Sequence, residues 1–356
     1  MKKNNSGVIL IIVLWILAIL SLLALSLSKR SSIEISLIHN SVGKLRAYAA
    51  ARAGVNYVES LLVKSKSDKD TLYQCGIKLS KDQSPQTLFA QVKIDDQLHF
   101  DIVVPAAVYG ISPKNLKFFY GLQDEQSKIN LNAIDGNNYK VFSKLLEQFD
   151  INSSDAQEIA AAVVDWHSNG TMPFKSPDSS VKGAKDDYYL SQSPAYKCKN
   201  RPFDSIEELL FIRGMTKDLF IKIKDYITIF PKEPTQGLKV NFNTAPDCVI
   251  RAIVQGQHES GLMDEDSSDA LIRLRNGSDN IPFTEDDGVD DHSTVSASTQ
   301  MHMNAIKSSL GLDSSQYYTV HSIGTDELTG VNCSINAVIY TSSNQGAVSI
   351  VSWQRQ

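Results

Sequence analysis

The sequence predicts an α+β fold in which a long N-terminal helix packs on an antiparallel sheet, and a large all-α domain is inserted within that sheet. Three observations predict this architecture. An uncharged apolar run opens the chain, alternating strand patterns lie on both sides of its middle, and the middle has the pattern of helices with an internal repeat. The length of 356 residues leaves room for about two domains.

The charge balance and the cysteines argue against several functional classes. The chain has 35 Lys and Arg against 40 Asp and Glu, a net charge of −5, which argues against a nucleic-acid binder that relies on bulk positive charge. Its cysteines, Cys75, Cys198, Cys248 and Cys333, are too few and too scattered for a disulfide framework or a zinc ribbon. In an exported protein, Cys198 and Cys248 are the expected disulfide pair, because both lie in the predicted insertion.

The first element is a membrane span over residues 8–28. These 21 residues carry no charge and 18 of them are apolar, and a helix of this length crosses a hydrocarbon core of about 30 Å. A cleaved secretory signal usually has an apolar region of only about 7–15 residues, so we expect the span to be retained. Basic residues flank both ends, but the very short amino end favours an N-terminus inside the cell and an exported bulk.

The helix is expected to continue beyond the span. Residues 29–63 contain no proline, and apolar residues recur every three or four positions from Ile33 to Leu62. One continuous helix of about 55 residues is therefore predicted, with its outer half packed under a globular head. The alternative is a span followed by a separate core helix.

Strand patterns lie on both sides of the middle of the chain. His99–Val104 alternates between apolar and polar residues, Leu116–Leu122 is a second apolar run, and Val331–Ile339 alternates without a break. Tyr317–Ile323 and Val348–Trp353 complete the group, the latter through a hairpin turn. Strands of one type so far apart along the chain indicate one sheet that an insertion interrupts.

The insertion, residues 124–312, contains a repeat. Lys128–Ala133 is matched by Lys239–Ala245, and Ser153–Ala156 is matched by Ser267–Ala270. The asparagines of the first pair suit the capping of a helix start. Two matches in the same order, at nearly the same offset, indicate a duplicated helical unit rather than coincidence.

Between the repeats lies a predicted helical hairpin. Ser205 with Glu208 has the pattern of a capping box, and Gly214 suits a helix end with positive φ before a second helix over Lys217–Phe230. Such a hairpin either cradles a DNA phosphate on backbone N–H groups or serves only for packing. Packing is favoured, because the segment has no stripe of Lys and Arg.

The sequence shows no catalytic constellation. Asp165 and His167 lie two apart in a helical pattern and so point to different faces. Ser168 beside them forms no triad by adjacency, and neither phosphate-loop signature occurs. We therefore expect a protein that is not an enzyme.

The N-terminus resembles that of type IV prepilins and pseudopilins. Lys3–Gly7 is a short polar leader that precedes the uncharged run. In that family a prepilin peptidase cleaves after the glycine on the cytoplasmic side, and the new N-terminus is methylated. The resemblance therefore implies cleavage between Gly7 and Val8.

One position departs from the pattern of most family members. They have a glutamate at the fifth residue after cleavage, where this chain has Ile12. That carboxylate can offset the amino terminus of a neighbouring subunit in an apolar setting, where an unpaired charge is costly. A subunit with no neighbour ahead of it has no such charge to offset, so Ile12 is interpreted as the mark of a tip subunit.

The resemblance is most specific to the K-type minor pseudopilins of the type II secretion system, which share this departure and carry a large helical insertion. It implies a pseudopilin fold with five parts: a leader (1–7), a transmembrane helix (8–28), a pilin-like helix with the first strands (29–123), the inserted α-helical domain (124–312) and C-terminal strands that complete the sheet (313–356). The motifs that resemble the family follow in its order: residues 7–27, Tyr120–Glu125 with Ile129–Asn132, Asp165–Trp166, Gly183–Ala184, Asp186–Tyr189, Asn200–Phe203, Glu207–Leu209 and Gly214–Met215.

Members of this family can hold calcium in the helical domain. The resemblance implies Asp165, Asp186 and Asp187 as candidate ligands, since carboxylate oxygens suit that ion. The family often has further aspartates after the Asp–Trp pair and an acidic residue before the Asp–Asp pair, where this chain has residues 167–170 and Lys185. Calcium is a candidate cofactor with an incomplete set of ligands.

The resemblance implies a non-enzymatic tip subunit of the type II secretion pseudopilus, which supports export of folded proteins across the outer membrane. Its partners would be the I-type and J-type minor pseudopilins, the major pseudopilin, the prepilin peptidase and the bacterial inner membrane, with no nucleic acid. It would cross that membrane once, with a cytoplasmic N-terminus and a periplasmic bulk. Two alternatives stay open: a minor pilin that initiates a type IV pilus, and a membrane-anchored protein that binds DNA through its helical hairpin.

Overall fold

The structure is a computed structural model that describes most of the chain. The described ranges are 6–65, 71–74, 77–80, 84–105, 118–177, 180–257, 265–278, 288–289, 309–311, 315–342 and 347–355. The helices in these ranges are α1 (Ser6–Ser65), α2 (Pro85–Phe89), α3 (Tyr139–Glu147), α4 (Ser153–His167), α5 (Asp186–Tyr189), α6 (Lys217–Ile223), α7 (Asp247–Gln257) and α8 (Glu265–Arg275). The strands are β1 (Thr71–Gln74), β2 (Ile77–Ser80), β3 (Val92–Lys93), β4 (Leu98–Pro105), β5 (Phe118–Tyr120), β6 (Gln123–Asp124), β7 (Ile129–Asn130), β8 (Ile227–Thr228), β9 (Val240–Asn241), β10 (Leu310–Gly311), β11 (Tyr317–Asp326), β12 (Val331–Thr341) and β13 (Val348–Arg355).

The chain begins with one continuous helix of 60 residues, α1, which confirms the predicted continuation beyond the apolar run. Among the described residues, α1 is the one helix that is long and apolar enough to cross a membrane. Residues 9–42 are all exposed, whereas the outer part of α1 buries Ala47, Ala51, Val55 and Val58 against the sheet. The helix therefore has a free first half and a packed second half.

The main sheet is antiparallel and has the strand order β13-β12-β11-β4-β3, with β5 paired to β4 and β6 paired to β11. The alternating patterns predicted on both sides of the middle of the chain are confirmed as β4, β11, β12 and β13. Alternation along β12 buries Ile335, Ala337 and Ile339 in the core that the sheet shares with α1. The apolar run Leu116–Leu122 forms only the short strand β5, and residues 116–117 lie outside the described residues.

Two features join α1 closely to the sheet. A Cβ on Gly324 would overlap the backbone of Ala47 and Ala51 on α1, so β11 packs directly against the helix backbone. Arg46 Nε lies 3.0 Å from Asp326 Oδ1, and that carboxylate is fully buried. The head is therefore held on α1 by both shape and charge.

The insertion joins the sheet at the end that is remote from the apolar start of α1. Arg46 meets Asp326 at the end of β11, and Gly54, about two turns further along α1, lies against Ser322 in the middle of β11. The start of β11 is therefore farthest from the apolar start. Strand β6, after which the insertion begins, pairs with this start of β11.

The insertion has its own hydrophobic core, built around α3, α4, α7 and α8. The predicted repeat is visible in its backbone, because β7 pairs in parallel with β8 and β9 pairs in parallel with β10. Asn130 accepts the Asn132 N–H (2.9 Å), and Asn241 accepts the Asn243 N–H (3.1 Å). The Asn130 bond caps the short 3₁₀ helix Leu131–Ala133, as predicted, whereas the Asn241 bond closes a turn and not a helix start. Residues 312–314 lie outside the described residues, so the end of the insertion at 312 stays a prediction.

The hairpin between the repeats differs from its prediction in both helices. Ile206–Phe211 is a 3₁₀ helix, and the second helix, predicted to reach Phe230, ends as α6 at Ile223. The reason is tertiary, since the residues after a short 3₁₀ turn form β8, which pairs with β7 of the first repeat. The prediction of positive φ at Gly214 is confirmed (φ 82°).

Candidate functional site

The first half of α1 is an exposed apolar surface. Ile12 is 52% exposed, and its large apolar neighbours from Ile9 to Leu27 are exposed to a similar degree. A contiguous apolar surface of this size is unfavourable in water and marks a site of membrane or protein contact. Gly7 and Val8 lie in the first turn of α1, and cleavage between them stays a prediction.

Apolar side chains also stay exposed on α1 beyond the uncharged run. Ile33, Ile35, Leu37, Ile38 and Val42 all lie before the first residue that α1 buries. At about 1.5 Å per residue, the helix between the end of the uncharged run and the head is roughly 20 Å long. This segment is therefore a stalk with exposed apolar positions.

The first candidate metal ligand, Asp165, is a buried carboxylate near the end of α4. Both of its oxygens lie 3.0 Å from the Phe174 N–H that they accept. Burial raises the pKa of Asp165 to about 6, against the opposing influence of the Phe174 bond and the nearby charge of Lys185. A Cβ on Gly183 would overlap Asp165 Oδ2, so the glycine backbone closes this side of the carboxylate.

The other two candidates do not converge with Asp165. Asp186 Oδ1 accepts the Cys198 N–H at 2.8 Å, and Asp187 is exposed. Among the described residues, no group of three or more His, Cys, Asp or Glu side chains could hold a metal ion. Instead, the Lys185 ammonium lies at the end of α4 among neutral oxygens. These residues therefore do not fit calcium, which takes six to eight oxygen ligands.

A buried carboxylate joins the sheet to the second repeat. Asp124 Oδ2 accepts hydrogen bonds from Thr244 Oγ1 (2.6 Å), Asn241 Nδ2 (3.1 Å) and Ser315 Oγ, while Oδ1 accepts the Gln126 N–H (2.8 Å). Burial raises the pKa of Asp124 to about 6, and the four hydrogen bonds act in the opposite direction. Because Ser315 lies two residues before the start of β11, this network fixes the insertion on the sheet.

Its neighbour Glu125 joins the sheet to the first repeat. Glu125 Oε1 accepts from Lys128 Nζ (2.5 Å) and from Thr319 Oγ1 (2.6 Å) on β11. Thr228 Oγ1 on β8 donates to the other oxygen. Asp124 and Glu125 therefore each join one of the two repeats to β11 or to the segment that leads into it.

The hairpin at Gly214 packs on α4. Arg213 forms an ion pair with Glu158 on α4, and a Cβ on Gly214 would lie 2.8 Å from Ile159 Cγ1. The Met215 N–H at the turn donates to the Ile212 carbonyl oxygen (3.1 Å), so it is not directed at a ligand. This geometry favours the packing interpretation of the hairpin over phosphate binding.

The expected disulfide between Cys198 and Cys248 is wrong for this structure, in which both are free cysteines. The Cys198 thiol points at the carbonyl oxygen of Asp165 (3.4 Å), beneath the end of α4. Cys248 lies in the first turn of α7, in the other repeat. Their common place in the insertion does not bring them together, and Cys75 lies outside the described residues.

Two buried contacts had no local signal in the sequence. The partners of the Arg46–Asp326 pair are 280 residues apart, and those of Asp124 are up to 191 residues apart. The family resemblance marks Lys185 as a basic residue in an acidic motif, but it does not reveal that Lys185 contacts the end of α4. Among the buried contacts described above, the Glu125–Lys128 ion pair is the one with a local signal, namely the i,i+3 spacing of its two residues.

Comparisons with known proteins agree on one family. Residues 127–232 match the family model described as type II secretion system (T2SS), protein K. A protein named type II secretion system protein K from Klebsiella pneumoniae is 25% identical over 254 residues, which are 68% of this chain and 68% of that protein. A protein of the same name from Aeromonas hydrophila is 24% identical over 257 residues, again 68% of each chain.

The fold is also similar to that of a solved structure. The match is to a chain in the crystal structure of the GspK–GspI–GspJ complex from the type 2 secretion system of enterotoxigenic Escherichia coli. The TM-score is 0.51 at 15% sequence identity, and the alignment covers 92% of this chain and 98% of that chain. At this identity the likeness concerns the fold alone, and at this coverage it includes both the sheet and the insertion.

Proposed function

We propose that the chain is a member of the type II secretion system protein K family, whose model matches residues 127–232, and that it is the tip subunit of the type II secretion pseudopilus. In this role α1 anchors the precursor once in the inner membrane, and the head lies in the periplasm. The subunit forms a tip complex with the I-type and J-type minor pseudopilins, and the short filament supports export of folded proteins across the outer membrane. Its contribution is structural rather than enzymatic.

The observation that carries this proposal is the place of the insertion. It leaves the sheet at the end of β11 that is remote from the apolar start of α1. In a filament whose helices run side by side with the anchors at the base, that end faces the next subunit up. A domain with a hydrophobic core of its own would overlap a subunit stacked there, whereas the end of a filament leaves the space open.

Ile12 supports the same position. It lies in an exposed apolar stretch of α1 in which residues 8–28 carry no charge. A carboxylate there would be costly in an apolar surrounding unless it met a positive amino terminus. A subunit at the tip has no neighbour ahead to supply one, so an isoleucine is the more favourable residue.

The proposed partners follow from the family and from the likeness to a chain of the GspK–GspI–GspJ complex. The I-type and J-type minor pseudopilins would bind the exposed side of α1 and the head, and the major pseudopilin would lie beneath them. The prepilin peptidase would remove residues 1–7.

Deletion of the gene tests this function directly. We expect the secreted proteins to decrease in the culture medium and to accumulate in the periplasm, and a plasmid copy of the full chain to restore them. An empty plasmid is the control. An unchanged secretion profile together with a loss of surface pili would contradict the proposal and would favour a minor pilin of a type IV pilus.

A further inference from the structure

The side chain of Lys185 ends in a cage of oxygen atoms inside the insertion. Lys185 is 3% exposed. Its Nζ donates to the carbonyl oxygens of Asp165 (2.6 Å) and Ser168 (2.8 Å) and to Asn200 Oδ1 (2.8 Å), and it lies 3.3 Å from Ser168 Oγ. Three short bonds match the three donors of an ammonium group. All three N–H donors of the Lys185 ammonium group are therefore used in bonds to the oxygens of this cage.

The position of the cage explains why a cation is needed there. α4 ends at His167, and Ser168 is its C-cap, so the carbonyl oxygens of Asp165 and Ser168 belong to the end of a helix, where partners within the helix run out. This end carries the negative part of the helix dipole. Without Lys185, the Ser168 oxygen would lose its ammonium donor and the Asp165 oxygen would keep only the weak contact with the Cys198 thiol (3.4 Å), which is unfavourable.

The loop around residue 200 and the start of α5 also meet at this cage of oxygen atoms. Asn200 has a positive φ of 52°, and its N–H donates to the Trp166 carbonyl oxygen (2.8 Å), so the backbone turns here to present Oδ1 to Lys185. The carboxylates of Asp165 and Asp186 lie nearby but bind backbone N–H groups of Phe174 and Cys198. The cation thus joins the end of α4, the start of α5 and the loop around residue 200.

The chemistry of the cage suits an ammonium group better than a divalent ion. The hydrogen-bond acceptors of Nζ in the described structure are two carbonyl oxygens, a hydroxyl and an amide oxygen, and all four are neutral. Calcium prefers more ligands, shorter distances of about 2.3–2.6 Å and charged carboxylates, whose number sets its affinity. A single positive charge with three directed donors fits these distances.

We propose that Lys185 is an internal cation that takes the place of a metal ion in the helical insertion, and that this chain therefore folds without calcium. The family resemblance implies calcium in this domain, and the residues of this chain supply an ammonium group instead. Metal removal in the periplasm would then leave this subunit folded.

Thermal unfolding of the full chain in detergent tests this inference. The chain is measured with excess calcium and with excess EDTA, and its calcium content is determined after desalting. Lys185→Met keeps much of the length of the side chain but removes its donors and charge. Lys182→Met is the matched control, because Lys182 is an exposed lysine three residues earlier.

For the wild-type chain we expect the same Tm in calcium and in EDTA, and no stoichiometric calcium. Lys185→Met should lower the Tm by roughly 5 °C or more, since it leaves buried oxygens unpaired, while Lys182→Met should leave it unchanged. A wild-type Tm that rises in calcium, or calcium bound at one ion per chain, would overturn the inference. So would equal Tm values for the two lysine variants. If Lys185→Met does not fold, the wild-type measurements still decide.

Discussion

Replacing Gly324 with alanine should destabilise the packing of the sheet on α1. Gly324 lies on β11 where the strand touches the backbone of α1. A methyl group there would overlap the Ala47 carbonyl oxygen and the Ala51 amide nitrogen, and it would lie 2.9 Å from Ala50 Cβ. Two of these three neighbours are backbone atoms of a continuous helix, so neither can rotate away.

The size of the effect follows from these contacts. To restore ordinary separations of about 3.5–4.0 Å, α1 must move away by roughly 1.5 Å, and a gap of only about 0.5–1 Å already forfeits a quarter to a half of each contact's attraction. The side chains that lose contact include Ala47, Val55 and Val58, which are fully buried. Overpacking alone costs about 1–3 kcal/mol, so we expect a loss of about 3 kcal/mol. For a chain of 356 residues, with an unfolding entropy of about 2.1 cal/mol/K per residue, that lowers the Tm by roughly 4 °C.

Circular dichroism of the full chain in detergent measures this change. Gly170→Ala is the control, because a Cβ at Gly170 meets nothing within 4 Å and the residue lacks a positive φ. That variant should keep the wild-type Tm or raise it slightly. If Ala50→Gly restored the Tm of Gly324→Ala, the argument would fail, because that change removes only the Ala50 contact and leaves both backbone contacts in place. An unchanged Tm for Gly324→Ala alone would refute it as well.

Two further predictions concern processing and pH. Gly7→Leu should leave the precursor uncut, because a peptidase that approaches the backbone closely has no room for the side chain. Measurement of the intact mass should show that the wild-type mature chain begins at Val8. A mature chain that begins near residue 29 would contradict this. Burial raises the pKa of Asp124 to about 6, so the folded chain binds a proton on this carboxylate more tightly than the unfolded chain does. Lowering the pH from 7 to 5 should therefore stabilise the fold by about 1 kcal/mol through this group. Urea unfolding at both pH values should show that gain reduced in Asp124→Asn, and an equal gain in both proteins would speak against the assignment.

The regular elements of the fold could be predicted because their signals are local. The alternation of Val331–Ile339 is the inner and outer face of β12, and the proline-free run from residue 8 to 63 is α1. The repeated asparagines could be predicted too, since Asn130 and Asn241 make bonds to backbone groups only two residues away. Each of these signals depends on neighbours within a few residues.

Contacts between distant segments could not be predicted in this way. The second helix of the hairpin was predicted too long because local pattern does not show that Ile227–Thr228 pairs with β7. The Asp124 network depends on Asn241 and Thr244, 117 and 120 residues later in the chain. In the candidate metal site, the family resemblance implies an acidic residue where this chain has Lys185, but only the fold shows that the Lys185 ammonium group reaches the end of α4.

Size-exclusion chromatography of three mixed heads tests the proposed function most directly. A chain that begins at residue 30 keeps every residue that the described structure buries, because residues 9–42 are all exposed. Mixed with the I-type and J-type heads, it should elute as one stoichiometric complex, in moderate salt and equally in calcium and in EDTA, because contacts between apolar surfaces are little screened. Elution of this head by itself at micromolar concentration, with and without calcium, would contradict the tip-complex account.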